Sequence, residues 1–438
     1  MQYLPNIVFA IALITGIGFF VMNIRKLLRN INLGKDVNRT DKKSERLKNM
    51  MMIALGQSKM VKRPFSGFLH IIVYVGFVII NIEVLEIIID GLLGTHRVFQ
   101  DIIGNSFYAF LIGTFEILAA LVFIAVILFW TRRNVSNIKR FLSTEMKGWP
   151  KNDGNYILYF EMVLMTLFLV MNATDAPFQE AGIGNPISQF LVPIFNGYSP
   201  ETIHIIERTA WWIHILGILT FLNYLYYSKH LHILLAFPNT YFANLNPKGQ
   251  FNNLEAVTKE VKLMMDPDAD PYAMPEEGVE EAVPEKFGAS DVTDLNWVQL
   301  LNAYTCTECG RCTSSCPANL TGKKLSPRKI MMDTRDRLEE VGRNIDANKG
   351  TFVDDGKQLL NDYISPEELW ACTSCNACVE ECPVNIDPLS IIMDMRRYLV
   401  MEESAAPQEL NMMMTNIENN GAPWPYNQQD RLNWANEE

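Results

Sequence analysis

Long apolar blocks alternate with short charged loops through the first half of the chain. Five blocks, at roughly residues 5–24, 65–90, 107–130, 156–172 and 203–228, are predominantly apolar. A helix that crosses a bilayer needs about 20 such residues, so the pattern predicts five spanning helices. The first block is expected to remain in place, because it lacks a basic stretch in front and a small-residue cleavage site. After residue 240 the pattern changes to short segments with helical spacing and frequent polar positions, so an all-α chain in two parts is predicted.

Composition sharpens this division. Of the 438 residues, 49% are hydrophobic and 20% charged, with a formal net charge of -11. That charge argues against general electrostatic attraction to nucleic acid. Basic residues are distributed unevenly among the loops. Residues 25–63 carry 12 Lys or Arg and residues 131–151 carry six, whereas 91–106 contains only Arg97 and 172–201 contains none. The positive-inside rule then predicts an outside N-terminus and a cytoplasmic C-terminus, in a multi-pass protein of the inner (cytoplasmic) membrane in contact with lipid. Residues 266–294 hold ten acidic residues, four prolines and one lysine, Lys286. Such a segment buries little apolar surface and reads as an extended tether. The expected domains are 1–240 (membrane bundle), 241–295 (acidic linker), 296–402 (cysteine module) and 403–438 (polar tail).

All eight cysteines fall between 306 and 382, in two runs of the form C-x2-C-x2-C-x3-C-P. Two-residue spacers let three thiolates cap three corners of one cubane, and the fourth cysteine of each run serves the other cluster. The spacing predicts one [4Fe–4S] cluster on Cys306, Cys309, Cys312 and Cys382, and a second on Cys372, Cys375, Cys378 and Cys316. Tetrahedral zinc also uses C-x2-C pairs, but the duplicated runs with a terminal Cys-Pro favour iron–sulfur. Ser326-Pro327 and Ser365-Pro366 supply helix starts between and before the runs. Lys323, Lys324, Arg328 and Lys329 offer either a docking face for an acidic redox partner or a solvated surface.

Histidines carry the remaining chemistry. His70 lies on the second span, and His204, His214, His230 and His232 lie on or beside the fifth; His96 reads as a surface residue. Polar groups within a membrane are costly and usually face the bundle interior. If the fifth helix ran unbroken to Pro238, His214 and His232 would share a face at five full turns, with His230 pointing about 160° away from His214. A rise of about 27 Å keeps His214 and His232 from binding one iron, and neutral imidazole is an ordinary axial ligand of haem b. The intramembrane acids Glu83, Glu86, Glu116 and Glu161 are read, each taken alone, as interhelical hydrogen-bonding or interfacial groups.

On Gly67-Phe68-Leu69-His70, His214 and Ser228-Lys229-His230-Leu231-His232, residues 1–240 resemble the gamma subunit of respiratory nitrate reductase and membrane subunits of heterodisulfide-reductase-like complexes. The resemblance implies a five-helix, quinone-reactive haem b anchor. Nitrate-reductase-type members carry a second histidine ten residues after the first, where Ile80 stands here. The expectation is therefore one haem b held by His70 and His232, with His214 as a ligand of a second haem or as the alternative partner of His70. On Thr321-Gly322-Lys323-Lys324-Leu325-Ser326-Pro327-Arg328 and Leu369-Trp370-Ala371-Cys372, residues 296–402 resemble the α-helical ferredoxin domain of succinate dehydrogenase iron–sulfur subunits and heterodisulfide-reductase-like proteins. Together these imply an oxidoreductase subunit of a respiratory chain, passing electrons between a cytoplasmic partner and quinone. That partner is expected to be a catalytic subunit with Cys-Cys-Gly domains or electron-transfer flavoprotein. The alternative is a membrane-bound maturation or redox-sensing factor for respiratory oxidases, without quinone turnover.

Overall fold

In the computed structural model, which describes residues 3–136, 138–182, 184–268 and 286–436, the apolar blocks form helices α1 (Leu4–Ile31), α2 (Pro64–Leu93), α3 (Asn105–Asn134), α4 (Trp149–Thr174) and α5 (Pro200–Tyr224). All five are long and apolar enough to cross a membrane. A helix satisfies its backbone polar groups internally, which lipid demands. Four of the five start with proline in the first turn, where no backbone donor is lost. Ser199 caps α5 by accepting from the Thr202 amide at 3.3 Å. Successive helices pack side by side and α1 closes the ring against α5. The ring is tight where small residues meet large ones: a Cβ on Gly76 would lie 2.4 Å from Val122, and one on Gly217 would lie 2.9 Å from Leu164. Tyr108, Ile112, Phe115, Phe168 and Ile215 fill its interior, while Ile7, Ile11, Ile14, Phe68 and Phe110 point outward as lipid-compatible surface.

The fifth span ends earlier than an unbroken helix to Pro238 requires. Tight turns at Leu225–Tyr227 and Lys229–Leu231 flank an extended Ser228, and α6 (His232–Tyr241) starts afresh. The cause is local. The Ser228 hydroxyl accepts from the His230 amide at 3.1 Å, and Asp153 accepts from the Lys229 amide at 3.1 Å. Both take over amides that a continuous helix would use. His214 and His232 therefore do not share the face of one helix.

The cysteine module is also helical, with α7 (Trp297–Thr305), α8 (Pro327–Ala347) and α9 (Pro388–Met401) around a core of Leu300, Ile330, Leu338, Val341, Ile391 and Met395. The described residues are 71% helical, with no β-strand among them. Asn296, Ser326, Ser365 and Asp387 cap the helices that precede or follow the cysteine runs. The core continues without a break into Leu27, Ile31, Leu225, Leu231 and Leu235 at the adjoining end of the bundle.

Much of the acidic stretch lies at 269–285, outside the described residues. Its last part, however, is folded onto the module: Val292 is buried, and Asp291 accepts from the buried Arg337 guanidinium at 2.8 Å. Residues 286–294 are thus packed structure and not tether. Just ahead of the acidic stretch, Glu255–Met265 form a helix.

Candidate functional site

The two cysteine runs fold alike. Glu308 and Gly310 in the first, and Ser374 and Asn376 in the second, adopt left-handed backbone conformations at matching positions. Such turns coil a short chain around a centre, and glycine carries them at least cost. At Gly310 a Cβ would also lie 2.5 Å from the Arg328 guanidinium. Cys306, Cys309, Cys312 and Cys382 line one cavity, and Cys378 lines it too. Cys372 has Cys316 and Cys375 as charged-state neighbours, and Cys378 has Cys372 and Cys316. None of the eight is in a disulfide. Backbone amides point at sulfur, from Ser374 to Cys372 at 3.4 Å and from Ile386 to Cys382 at 3.3 Å. Burial pushes the Cys306 thiol up to about 12 and the Cys382 thiol up to about 11. Thiols so placed hold their protons until a metal displaces them. An all-sulfur donor set with amide donors on the sulfurs suits an iron–sulfur cluster.

Three imidazoles gather where the bundle meets this module. The His70 and His232 ring centroids are 6.5 Å apart, and those of His230 and His232 are 5.5 Å apart. The Lys229 carbonyl lies 3.1 Å from His232 Nδ1; a carbonyl only accepts, so Nδ1 carries the proton and Nε2 keeps its lone pair. Metal-binding histidines are oriented in this way by a carbonyl on the other nitrogen. His70 Nδ1 is buried without a partner. A metal–imidazole bond is about 2 Å long, and two rings facing one ion need a spacing of the size seen here. The pair thus fits an axial ligand set. His230 instead turns its Nε2 toward Glu161, at 3.8 Å. His214 lies deeper in the bundle, its ring 6.2 Å from Phe168 and its Nδ1 buried without a partner. His70 meets His232; the ring beside His214 is that of Phe168.

A buried charge cluster joins the two groups of ligands. Glu308, between Cys306 and Cys309, is 3% exposed and pairs with both Lys229 and Arg335, the latter at 2.8 Å. Burial alone would push the Glu308 carboxyl up, but the Lys229 and Arg335 charges outweigh it and hold the group below the usual carboxylate range. Lys229 is also 3.8 Å from Asp153, which accepts from the Tyr224 hydroxyl at 2.6 Å. Around the first cysteine run, Arg311 donates to the Lys59 carbonyl at 3.2 Å, Lys59 to the Cys382 carbonyl at 3.3 Å, and Arg63 to Glu381 at 3.2 Å.

Two of the cations read as a docking or solvated face are held by fixed partners, Arg328 fully buried and Lys329 31% exposed. Arg328 donates to Glu145 at 2.6 Å, and Lys329 pairs with Asp333 at 2.7 Å and Glu368 at 2.9 Å. Lys324 is exposed and pairs with Glu367 at 3.0 Å. Glu308, Arg335, Asp153 and Lys59 did not stand out in the sequence. The one local hint was a charged residue inside the tightest cysteine loop.

Residues 305–386 match the family model described as "4Fe-4S dicluster domain". The fold and site therefore define a dicluster iron–sulfur protein on a five-helix bundle of membrane-spanning dimensions. Over 98% of its length the chain is 29% identical to "Probable iron-sulfur-binding oxidoreductase FadF" of Bacillus subtilis, of which the match covers 61%. It is 25% identical to "EtfAB:quinone oxidoreductase" of Syntrophomonas wolfei, over 92% of this chain and 55% of that protein. A shorter match, 34% identical over 34% of this chain and 24% of the relative, is to "Probable membrane-anchored ferredoxin" of Chromohalobacter salexigens. The chain thus spans somewhat more than half the length of the two relatives that match it nearly throughout. Heterodisulfide reductase C subunits are also among its homologues. No solved structure matches it. The chain is accordingly homologous to iron–sulfur oxidoreductases.

Proposed function

We propose that this chain is a membrane-anchored electron-transfer subunit working between a cytoplasmic redox partner and the quinone pool with two [4Fe–4S] clusters and haem b. Cys306, Cys309, Cys312 and Cys382 would hold one cluster, Cys372, Cys375, Cys378 and Cys316 the other, and His70 and His232 the haem. When bound, these groups supply one-electron chemistry at potentials set by ligand type, burial and hydrogen bonds. The residues' own work is orientation. The Lys229 carbonyl fixes the His232 tautomer, Ser228 and Asp153 place that loop, and the amides of Ser374 and Ile386 support the sulfurs.

The observation that carries the reading is the direct junction of the two ligand groups: Glu308 in the first cysteine loop pairs with Lys229, three residues before His232. The N-terminus outside and the iron–sulfur module in the cytoplasm follow from the basic loops, which also lie on the module's side of the bundle. Lys59 donates there to the Cys382 carbonyl, Arg63 to the Ser314 hydroxyl and Arg328 to the Arg140 carbonyl. The Syntrophomonas relative's name supports electron-transfer flavoprotein as donor, directly or through a catalytic subunit with Cys-Cys-Gly domains.

The test is a reduced-minus-oxidised spectrum of protein purified from membranes. A low-spin b-type band is expected beside cluster absorption, and His70→Ala and His232→Ala should each remove that band and spare the clusters. Wild-type protein with iron–sulfur absorption alone overturns the haem assignment and favours a maturation or sensing factor.

A further inference from the structure

At the end of the bundle remote from the cysteines is a cavity of about 460 Å³. Glu83, on its wall, is thirteen residues beyond His70 on α2, a rise of about 20 Å. Phe9, Met171, Trp211 and Trp212 give the cavity broad apolar walls. Its acidic groups differ from one another. Glu86 accepts from the Phe99 amide at 2.9 Å and the Tyr108 hydroxyl at 3.1 Å, and Glu207 is paired with Arg208. Deeper in, Glu116 accepts from Asn172 at 3.0 Å and from the Ile187 and Ser188 amides at 2.9 Å. Glu83 is 3% exposed and its Oε2 has no partner. An unsatisfied buried carboxyl costs free energy, and inside a membrane bundle such a group marks a place where something binds or a proton moves.

A polar chain leads from beside the cavity to water. Tyr108 is joined to Arg97 at 3.2 Å, Arg97 to Asp175 at 2.8 Å, and Asp175 to His96 at 3.1 Å. The His96 side chain is 51% exposed, and the cavity itself reaches Gly94, Thr95 and His96. The site therefore combines flat apolar walls, one uncommitted buried carboxyl and a polar exit. A ligand that suits it has a planar apolar ring with a proton-accepting oxygen at the edge.

We propose that this cavity binds the ring of a quinone and that Glu83 exchanges protons with its carbonyl oxygen, an inference that rests on the quinone-coupled function proposed above. Reduction takes two electrons, delivered singly by the chain's metal centres, and two protons. Each carbonyl becomes a hydroxyl. Glu83 gives its proton to the carbonyl it faces and is reprotonated from the aqueous end at His96, while the other carbonyl takes its proton from water at the cavity's open end.

The test uses the full chain, with its metal centres, in lipid nanodiscs, and a decyl-substituted 1,4-naphthoquinone as probe. Binding is read by titration calorimetry, and oxidation of the dithionite-reduced chain by stopped-flow absorbance. Glu83→Gln should leave binding near wild type and slow oxidation by the quinone about 100-fold, the size of a lost general acid. Trp212→Ala should weaken binding about tenfold, as expected for truncating a buried aromatic anchor. Unchanged cluster absorption in each variant reports an intact fold. Wild-type-like binding and oxidation in both variants overturn the site while leaving quinone coupling standing. Failure of the wild-type chain to bind or be oxidised by the probe overturns the quinone-coupled function itself.

Discussion

Among single residues, Glu308 joins local chemistry to long-range structure. It sits in a left-handed conformation that disfavours a side chain, at φ 54°, inside a loop whose ends are both candidate metal ligands. Its contacts with Lys229 and Arg335 offset that cost and bind the loop to the segment leading to His232. Glu308→Gln keeps the shape and removes the charge, leaving two cations buried beside each other. Breaking a buried pair from one side costs about 3 kcal/mol, measurable by thermal melting. Loss of a negative charge also makes adding an electron nearby easier, so the midpoint potential of the adjoining cluster should rise, by on the order of tens of millivolts. Equal potential and equal melting temperature in variant and parent would remove Glu308 from this role. Cysteine chemistry was legible in the sequence because ligand spacing is a local property. Glu308 was not, because Lys229 and Arg335 approach it only in the folded chain. His230 illustrates the same limit: on an ideal helix it points away from the other histidines, yet the break at Ser228 puts its ring 5.5 Å from that of His232.

Elements were readable where a single physical demand fixes them. Bilayer thickness dictates the length of an apolar run, so all five spans appear in the hydropathy pattern, although α1 to α4 extend beyond the blocks by amphipathic or charged turns such as Leu27–Ile31 and Arg132–Asn134. Residues 286–294 were harder. Their acidity suggests solvation, but Asp291 and Asp294 spend it on fixed partners. Asp294 accepts from Lys286 at 2.6 Å and from the Ser290 and Asp291 amides, while Asp291 and Asp355 hold the Arg337 guanidinium in the middle of α8. Arg337 has no exposed surface, so its five donors must be satisfied inside the protein. Arg337→Met is expected to leave two carboxylates without their cation and to lower the stability of the module by about 3 kcal/mol, with the 286–294 segment becoming the first site of proteolysis. Retention of parental melting and parental protease resistance would mean that the apolar contacts of Val292 and Leu295 suffice to hold the segment.

For the whole molecule, the decisive feature is that bundle and module share a core. Asn30 donates to the Tyr304 hydroxyl at 3.0 Å, and the backbone at Lys35 exchanges hydrogen bonds with the segment at Leu295 and Trp297, at 2.8 and 3.1 Å. Phe242 packs edge-on against Trp297, 4.9 Å between centroids, and Lys26 and Arg29 pair with Asp346. Leu27, Ile31, Leu231 and Leu235 join the apolar cluster of the module. Exposed ion pairs of the Lys26–Asp346 kind are screened by salt and contribute little. Buried apolar and hydrogen-bonded contacts are not screened, so the docking does not depend on residues 269–285 as a leash. Residues 1–268 and 286–438, coexpressed as separate chains, should therefore co-purify in detergent and remain together at about 0.5 M salt, where the Debye length is only a few ångströms. Asn30→Ala together with Trp297→Ala should loosen the split complex far more than Lys26→Ala together with Arg29→Ala. Dissociation of the parental halves at low salt would mean that the covalent connection, and not the shared core, keeps the cysteine loops within reach of His70 and His232.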